Sequence, residues 1–312
     1  MAQIVTLTPN PAIDLSTSVD HVVPMLKLRC TPQRRDPGGG GVNVARVVKR
    51  FGGDVEAILP VGGFTGQLLR SLLESEEIPS RLIEVAGETR EDFSVSELST
   101  NSQFRFVLPG EPLRESEWRE CLVVLASLKP APKFIVASGS LPPGVPDDFF
   151  AQAAATARKL GARFFLDTSG APLAAAIEHG VDLIKPNLRE MCDLIGGPLA
   201  SEGDWIAAAR KYIGVGKVTT VALSLGHLGA MLITREQALR SPPLPIKPSS
   251  AVGAGDSFLG AIVYGLAQGD DMIEAFRLGV AAGSAALIHP GTELCLPADA
   301  YRLSAQVTVA PV

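Results

Sequence analysis

The stretch Ser250-Ala-Val-Gly-Ala-Gly-Asp-Ser-Phe-Leu-Gly-Ala-Ile-Val-Tyr-Gly265 decides how the rest of the chain is read. Its first half is small and punctuated by Gly253 and Gly255. Phe258, Leu259, Ile262, Val263 and Leu266 then recur at the spacing of an amphipathic helix. A glycine turn therefore feeds a helix start, where unpaired backbone N–H groups and the positive end of the helix dipole suit an anion such as phosphate. Asp256 sits in that turn, and two readings fit it. It is a helix cap, as Asp commonly is, or it is a carboxylate base beside an anion hole made by Gly253, Ala254 and Gly255. The second combination suits phosphoryl transfer to a hydroxyl, which rests on positioning and charge stabilisation.

The rest of the chain bears on that choice. With 312 residues, 46% hydrophobic and 20% charged, the composition is that of an ordinary soluble globular protein, long enough for one large α/β domain or two smaller ones. The net charge of -5 offers nothing to nucleic acid or an anionic membrane, so an anionic ligand has to be met by local basic clusters. Cys30, Cys121, Cys192 and Cys295 are far apart, form no Cys-x-x-Cys pair and have only four His for company, which argues against structural zinc. The N-terminal residues lack the basic and long apolar regions of a signal peptide, and no apolar run reaches the length of a membrane span. A reduced, cytoplasmic enzyme is the expectation.

In chain order, Ile4 to Leu7 reads as a buried strand closed by Thr8-Pro-Asn-Pro11, with Asp14 just past its carboxyl end, where ligand groups gather in α/β folds. Gly38-Gly39-Gly40-Gly41 precedes Asn43 and a helix apolar at Val44, Val47, Val48 and Phe51. Close approach of a ligand to backbone accounts for four glycines better than a linker does. Strand at Glu56 to Leu59 and helix at Gly66 to Glu74 continue a βα alternation, as do the strands at Phe134, Phe164, Val181 and Val218. That pattern predicts a mostly parallel sheet with helices on both faces.

Two segments break it. Residues 15 to 36 are polar and basic, and residues 90 to 108 alternate, with Phe104, Phe106 and Leu108 on one face and Arg105 on the other. Together they predict a small sheet laid over the main domain as a lid with a basic face. Farther on, Lys185-Pro-Asn187 and Glu190 follow a strand; Asn187 and Glu190 carry oxygens suited to hydrated magnesium, or else form a helix start with an acidic first turn.

Taken together, Asp14, the Gly38 to Asn43 loop, Lys185-Pro-Asn187 with Glu190, Ser224-Leu-Gly226 and Gly253-Ala-Gly-Asp256 resemble a ribokinase-like (PfkB family) sugar kinase over essentially the whole chain. Lys27 to Cys30, Arg105 to Val107, Ser138 to Gly144 and Val280 to Ala286 look most like the minor 6-phosphofructokinase branch of that family. Thr8 to Asp14 looks more like the opening of the 1-phosphofructokinase and tagatose-6-phosphate kinase branches.

The resemblance implies a single three-layer α/β/α domain over residues 1 to 312, a mostly parallel central sheet, a β lid and a homodimer. It implies transfer of the ATP γ-phosphoryl group to a ketohexose phosphate, fructose 6-phosphate first. By it, Asp256 is the base, with Gly253, Ala254 and Gly255 the anion hole. Asp14, Gly38, Gly39, Asn43 and Ser140 meet the sugar, and Lys27, Arg29, Arg90 and Arg105 its phosphate. Lys185, Asn187, Ser224, Gly226, Gly229 and Gly283 meet ATP along with the glycines of the hole. Glu190 holds magnesium through water, and carbonyls of Ser250, Val252, Ala286, His289 and Gly291 hold potassium. A sugar-phosphate sensor without catalysis is the competing class. A dinucleotide dehydrogenase is disfavoured, because Gly38 to Gly41 is not Gly-x-Gly-x-x-Gly.

Overall fold

The computed structural model describes residues 2–289 and 291–312. In chain order the elements are β1 (Ile4–Leu7), β2 (Ala12–Val19), β3 (Arg34–Gly38), α1 (Gly40–Arg50), β4 (Val55–Val61), α2 (Gly63–Ser75), β5 (Ser80–Glu84), β6 (Arg90–Glu97), β7 (Ser102–Phe106), α3 (Glu115–Ala126), β8 (Phe134–Ser138) and α4 (Phe149–Leu160). Then follow β9 (Arg163–Asp167), α5 (Gly170–His179), β10 (Val181–Ile184), α6 (Leu188–Ile195), α7 (Glu202–Gly214), β11 (Val218–Ser224), β12 (Ala230–Ile233), β13 (Ala238–Ser241), α8 (Ala254–Gln268), α9 (Met272–Leu287), α10 (Pro297–Ser304) and β14 (Ala310–Pro311).

Ten strands form the main sheet in the order β14-β13-β12-β11-β10-β9-β8-β1-β4-β5. The strands from β11 to β5 run parallel, and β12, β13 and β14 close one edge antiparallel. Successive residues of a strand face opposite sides, and β8 shows the consequence. Phe134 and Val136 enter one apolar layer with α1, α2, α8, α9 and α10, while Ile135 and Ala137 enter another with α3, α4, α5 and α7. Each fully buried Phe or Leu in these layers contributes about 1.5–3 kcal/mol. The three-layer α/β/α architecture is the one expected from the alternation.

The small sheet has the order β3-β2-β6-β7, with β2 and β6 parallel. It corrects the sequence reading in two ways. Asp14 lies inside β2 instead of in a turn after β1, because β2 starts at Ala12 immediately after the proline turn. The lid face is mixed instead of basic, because register sets Asp36, Asp14 and Asp92 side by side across β3, β2 and β6. Phe104 and Phe106 do share a face, exposed together with Phe93, while Leu108 falls beyond the strand.

Helix α8 also differs from expectation. It is buried nearly all round from Ser257 to Val263 instead of showing one wet face. Gly260 lets it lie against Val47 and the Val44 carbonyl of α1, and Gly279 of α9 leaves room for its Phe258 carbonyl and Ile262. Two neighbouring helices, and not solvent, thus flank the helix that carries Asp256.

Candidate active site

The sheet order reverses around β1, which pairs with β4 on one side and β8 on the other. Open α/β sheets bind ligands just outside the strand carboxyl ends at such a point. The starts of α1 and α8 and the ends of β8, β9 and β10 all bring polar groups there.

Helix α8 has Gly253 as N-cap, with φ 73° and no side chain capping it. Asp256 is therefore not the cap. It stands in the first turn, half-buried, and its Oδ2 accepts a hydrogen bond from Asn43 Nδ2 at 3.0 Å. Asn43 in turn is inside α1 and not at its start, so the capping alternative fails for both residues. A Cβ on Gly253 would sit 2.5 Å from Leu294 Cδ2, which with the positive φ requires glycine there. The uncapped N–H groups of the first turn remain free for a ligand.

Lys185 arrives from the end of β10. It is buried, and its Nζ would lie 3.2 Å from a Cβ on Gly255, so the ammonium sits against the glycine turn at the start of α8. Its partner is Asp167 at 3.1 Å, the last residue of β9. The charge of Asp167 holds the Lys185 pKa up against a desolvation that works the other way. Asp167 is not among the residues singled out from the sequence. An acid at a strand's carboxyl end in an α/β pattern was the signal available.

Burial pushes the Asp256 carboxyl up to about 6, with the nearby Asp167 adding to the rise and Asn43, Lys185 and Arg105 opposing it. Burial likewise pushes Asp14 up to about 6, reinforced by Asp92 and opposed by Arg105 and Arg46. The charge of Asp256 adds a little to the rise at Asp14, so the lid strand and the start of α8 bring their carboxyls within reach of one another's field. Of the three aligned aspartates, Asp36 is bound by Arg34 and Arg46, and Asp92 by Arg90 at 2.8 Å. Among the described residues Asp14 has no ion pair, which leaves it for a ligand. Gly38 makes the room: a Cβ there would fall 2.5 Å from Asp14 Cγ.

The glycine run has a different cause from the one expected. Gly39 has φ 97°, but a Cβ at Gly40 would strike Ser138 Oγ and one at Gly41 would strike Thr8 Oγ1 and the Leu7 carbonyl. The start of α1 is packed onto the ends of β1 and β8, so the protein's own backbone, and not only a ligand, demands those glycines. Gly283 is likewise a packing residue, 3.2 Å from the Ala254 carbonyl if given a Cβ.

The remaining basic residues divide. Arg90 is mostly buried; its Nη1 donates to Asp92 and the Leu108 carbonyl and its Nη2 to the Asn10 carbonyl, while among the described residues its buried Nε has no partner. Arg105 is exposed on the lid strand whose register neighbour, Ser94, is buried, and its charge reaches both Asp14 and Asp256. Lys27 and Arg29 are exposed in the segment joining β2 to β3, and among the described residues no side-chain hydrogen bond or ion pair ties them to the cleft. Ser140 accepts a hydrogen bond from Asn10 Nδ2 at 3.1 Å, joining the loop after β1 to the loop after β8.

Toward the other side of α8, Asn187 and Glu190 form a reciprocal cap at the start of α6. Glu190 Oε2 takes the Asn187 N–H at 2.8 Å, and Asn187 Oδ1 takes the Glu190 N–H at 2.9 Å. The acidic helix start is real, and it leaves Glu190 Oε1 without a bond in the cap. Ser224 pairs with Asn187 by a bridge, and Gly226 opens the short turn that ends at Gly229. Ser250 Oγ donates to the Gly291 carbonyl at 2.6 Å, the Ser250 N–H donates to the Leu287 carbonyl at 3.3 Å and the His289 N–H to that of Ala286, so these segments lie together near the α8 start.

The model of the pfkB family carbohydrate kinases matches residues 8–299. The chain belongs to that family. A Mycobacterium tuberculosis (strain ATCC 25618 / H37Rv) protein named ATP-dependent 6-phosphofructokinase isozyme 2 is 45% identical over 300 residues, 96% of this chain and 88% of that protein. A 1-phosphofructokinase of Xanthomonas campestris pv. campestris is 36% identical over 278 residues, 87% of this chain and 86% of that protein. Among solved structures, phosphofructokinase-2 from Escherichia coli in complex with fructose-6-phosphate superposes with a TM-score of 0.92 at 39% identity, covering 98% of this chain and 99% of that one. The same protein in complex with potassium gives 0.93 at 40% identity, again over 98% and 99%. As a pfkB carbohydrate kinase, this protein is a phosphotransferase with an alcohol group as acceptor. Among the described residues no helix is long and apolar enough to cross a membrane.

Proposed function

We propose that this pfkB kinase transfers the γ-phosphoryl group of ATP to a hydroxyl of fructose 6-phosphate. The observation that carries the reading is Asp256, held by Asn43 at 3.0 Å in the first turn of an uncapped helix, across the cleft from the unpaired Asp14. A sugar hydroxyl must lose its proton as it attacks, and a base works best with a pKa near the operating pH. Asp256, pushed up to about 6, has that property. The free N–H groups of the α8 turn and the Lys185 ammonium stand where charge gathers on the transferred group, and they need little reorganisation to stabilise it.

Asp14 binds sugar hydroxyls in this reading, with Gly38, Gly39, Asn43 and Ser140 alongside. Arg105 takes the sugar phosphate, aided by Arg90, Lys27 and Arg29. Asn187, Ser224, Gly226 and Gly229 bound the nucleotide side. The free Oε1 of Glu190 fits an ion held through water, and magnesium bound with ATP neutralises phosphate charge there. The carbonyls of Ser250, Val252, Ala286, His289 and Gly291 are the candidates for a potassium ion, a reading supported by the potassium complex of the E. coli protein. We further infer a homodimer in which the exposed lid face of Phe93, Phe104 and Phe106 is covered by a second copy.

A second reading, phosphorylation of fructose 1-phosphate, is favoured by the opening Thr8-Pro-Asn-Pro-Ala-Ile-Asp14 and by the Xanthomonas relative. Tagatose 6-phosphate kinase activity is the remaining alternative. A coupled ADP-release assay with all three sugar phosphates tests the choice. Preference for fructose 6-phosphate supports the proposal, preference for another acceptor replaces it, and absence of turnover with all three overturns it in favour of a sensor.

A further inference from the structure

Arg46 lies in the middle of α1 with no exposed surface, which is rare for arginine unless every donor is matched. Nε and Nη2 donate to the two oxygens of Glu76 at 2.8 and 2.6 Å, and Nη2 also reaches Asp36 Oδ1 at 3.2 Å. Nη1 donates to the Pro37 carbonyl at 2.9 Å and to Asn43 Oδ1 at 3.3 Å. The last bond has a consequence at the far end of the same side chain. An amide has one accepting and one donating end, so with Oδ1 turned to the guanidinium, Nδ2 faces Asp256 Oδ2 at 3.0 Å. The reversed amide would set donor against donor at Arg46 and oxygen against carboxylate at Asp256. Only one orientation is permitted.

We propose that Arg46 is a positioning residue for phosphoryl transfer: it locks the Asn43 amide so that Asn43 holds the Asp256 carboxylate in its reactive orientation. The proposal rests on the reading of Asp256 as base. Arg46 can act as a fixed point because three separate parts of the chain grip it or its partners. Glu76 comes from the end of α2, Asp36 from β3, and Asp36 Oδ2 is taken by Thr292 Oγ1 at 2.9 Å from the loop after α9. A lysine would keep the charge but lose the planar fork that serves Glu76, Asp36, Pro37 and Asn43 at once.

The pH readout follows from what faces Asp256. Asp167 from β9 and Asp14 from β2 oppose its ionisation, while Asn43 from α1, Lys185 from the end of β10 and Arg105 from β7 favour it. Freeing the Asn43 amide removes one of the favourable groups, so the carboxylate should hold its proton to higher pH.

The test is Arg46→Lys beside Asn43→Ala, the double variant and Asp256→Asn, each followed by thermal melting and by kcat/KM against pH. The titration of the substrate's own phosphate is common to all of them and cancels in the comparison. Arg46→Lys should lower kcat on the order of ten- to a hundredfold, as small misplacements do. It should also raise the acid limb by about half to one pH unit, the scale of one hydrogen bond. Asn43→Ala should show the same shift, and the double variant should add nothing to it. If Arg46→Lys does not fold, Arg46→Met with Glu76→Gln, which strands no charge beside Glu76, is read through the same cycle. A folded Arg46 variant with wild-type turnover and limb overturns the proposal, as does a shift that adds fully to that of Asn43→Ala. Loss of activity in Asp256→Asn at the same time shows that the base reading itself survives, whereas a working Asp256→Asn removes that reading first.

Discussion

Replacing Asp256 by Asn separates catalysis from stability in opposite directions. The amide keeps the size of the carboxyl and still accepts the Asn43 N–H through Oδ1, but it cannot take a proton from a sugar hydroxyl. General-base catalysis contributes about 10² to 10⁴ in rate, so kcat should fall by at least that range, with little change in the affinities for ATP and sugar phosphate. Stability should move the other way. The folded protein raises the Asp256 pKa from 3.8 to about 6. At 1.36 kcal/mol per unit this is about 3 kcal/mol that the ionised carboxylate costs the fold at neutral pH. Because the folded pKa lies above the unfolded one, the contribution of Asp256 to stability is fully present below about pH 3.8 and is lost as pH rises through about 6. Asn does not titrate. The variant should therefore be more stable than the parent at about pH 8, by up to about 3 kcal/mol, and the advantage should shrink toward pH 4 and vanish below it. Urea unfolding at several pH values, with ADP release measured on the same samples, provides both numbers. Near-normal turnover would sink the base assignment. A variant less stable than the parent at neutral pH would refute the electrostatic account of this site.

Arg105→Ala should raise the KM for the sugar phosphate on the order of ten- to a hundredfold, the range of one charge-assisted hydrogen bond, with kcat nearly unchanged. Arg90→Ala should raise KM as well, but it also strands Asp92, so a stability loss on the order of 3 kcal/mol should accompany it in denaturant titrations. An unchanged KM would remove Arg90 from the site. Glu190→Gln should shift the magnesium requirement upward while sugar binding stays intact. Gln still completes the cap with Asn187, so the melting temperature should hardly move, and a wild-type magnesium curve would defeat the assignment.

Much of this protein is legible locally. The βα alternation, the glycine turn before Phe258 and the alternating lid segment from 90 to 108 depend on residues a few positions apart, and periodicity reports such neighbours directly. Those patterns also bring Lys185 to a strand end and Asp256 to a helix start, where an α/β sheet gathers its ligands. The sequence read alone is weaker where an element lacks a period. Ser80–Glu84 is a polar edge strand, and α3, α7 and α10 carry mixed faces.

What tertiary structure alone decided is who meets whom. Asn43 and Asp256 are 213 positions apart, and Thr292 and Asp36 are 256 apart. No local preference encodes such contacts, because they form only when β3, α1, α8 and the loop after α9 are packed on one sheet. The same packing turned Asp256 from a possible cap into a half-buried carboxylate and made Gly40 and Gly41 obligatory for the seating of α1 on β1 and β8. It also set three aspartates in register and paired two of them with arginines, leaving Asp14 open. Residue type supplies the chemistry a group can do. Burial, register and the charges drawn up beside it determine which group is left to do it.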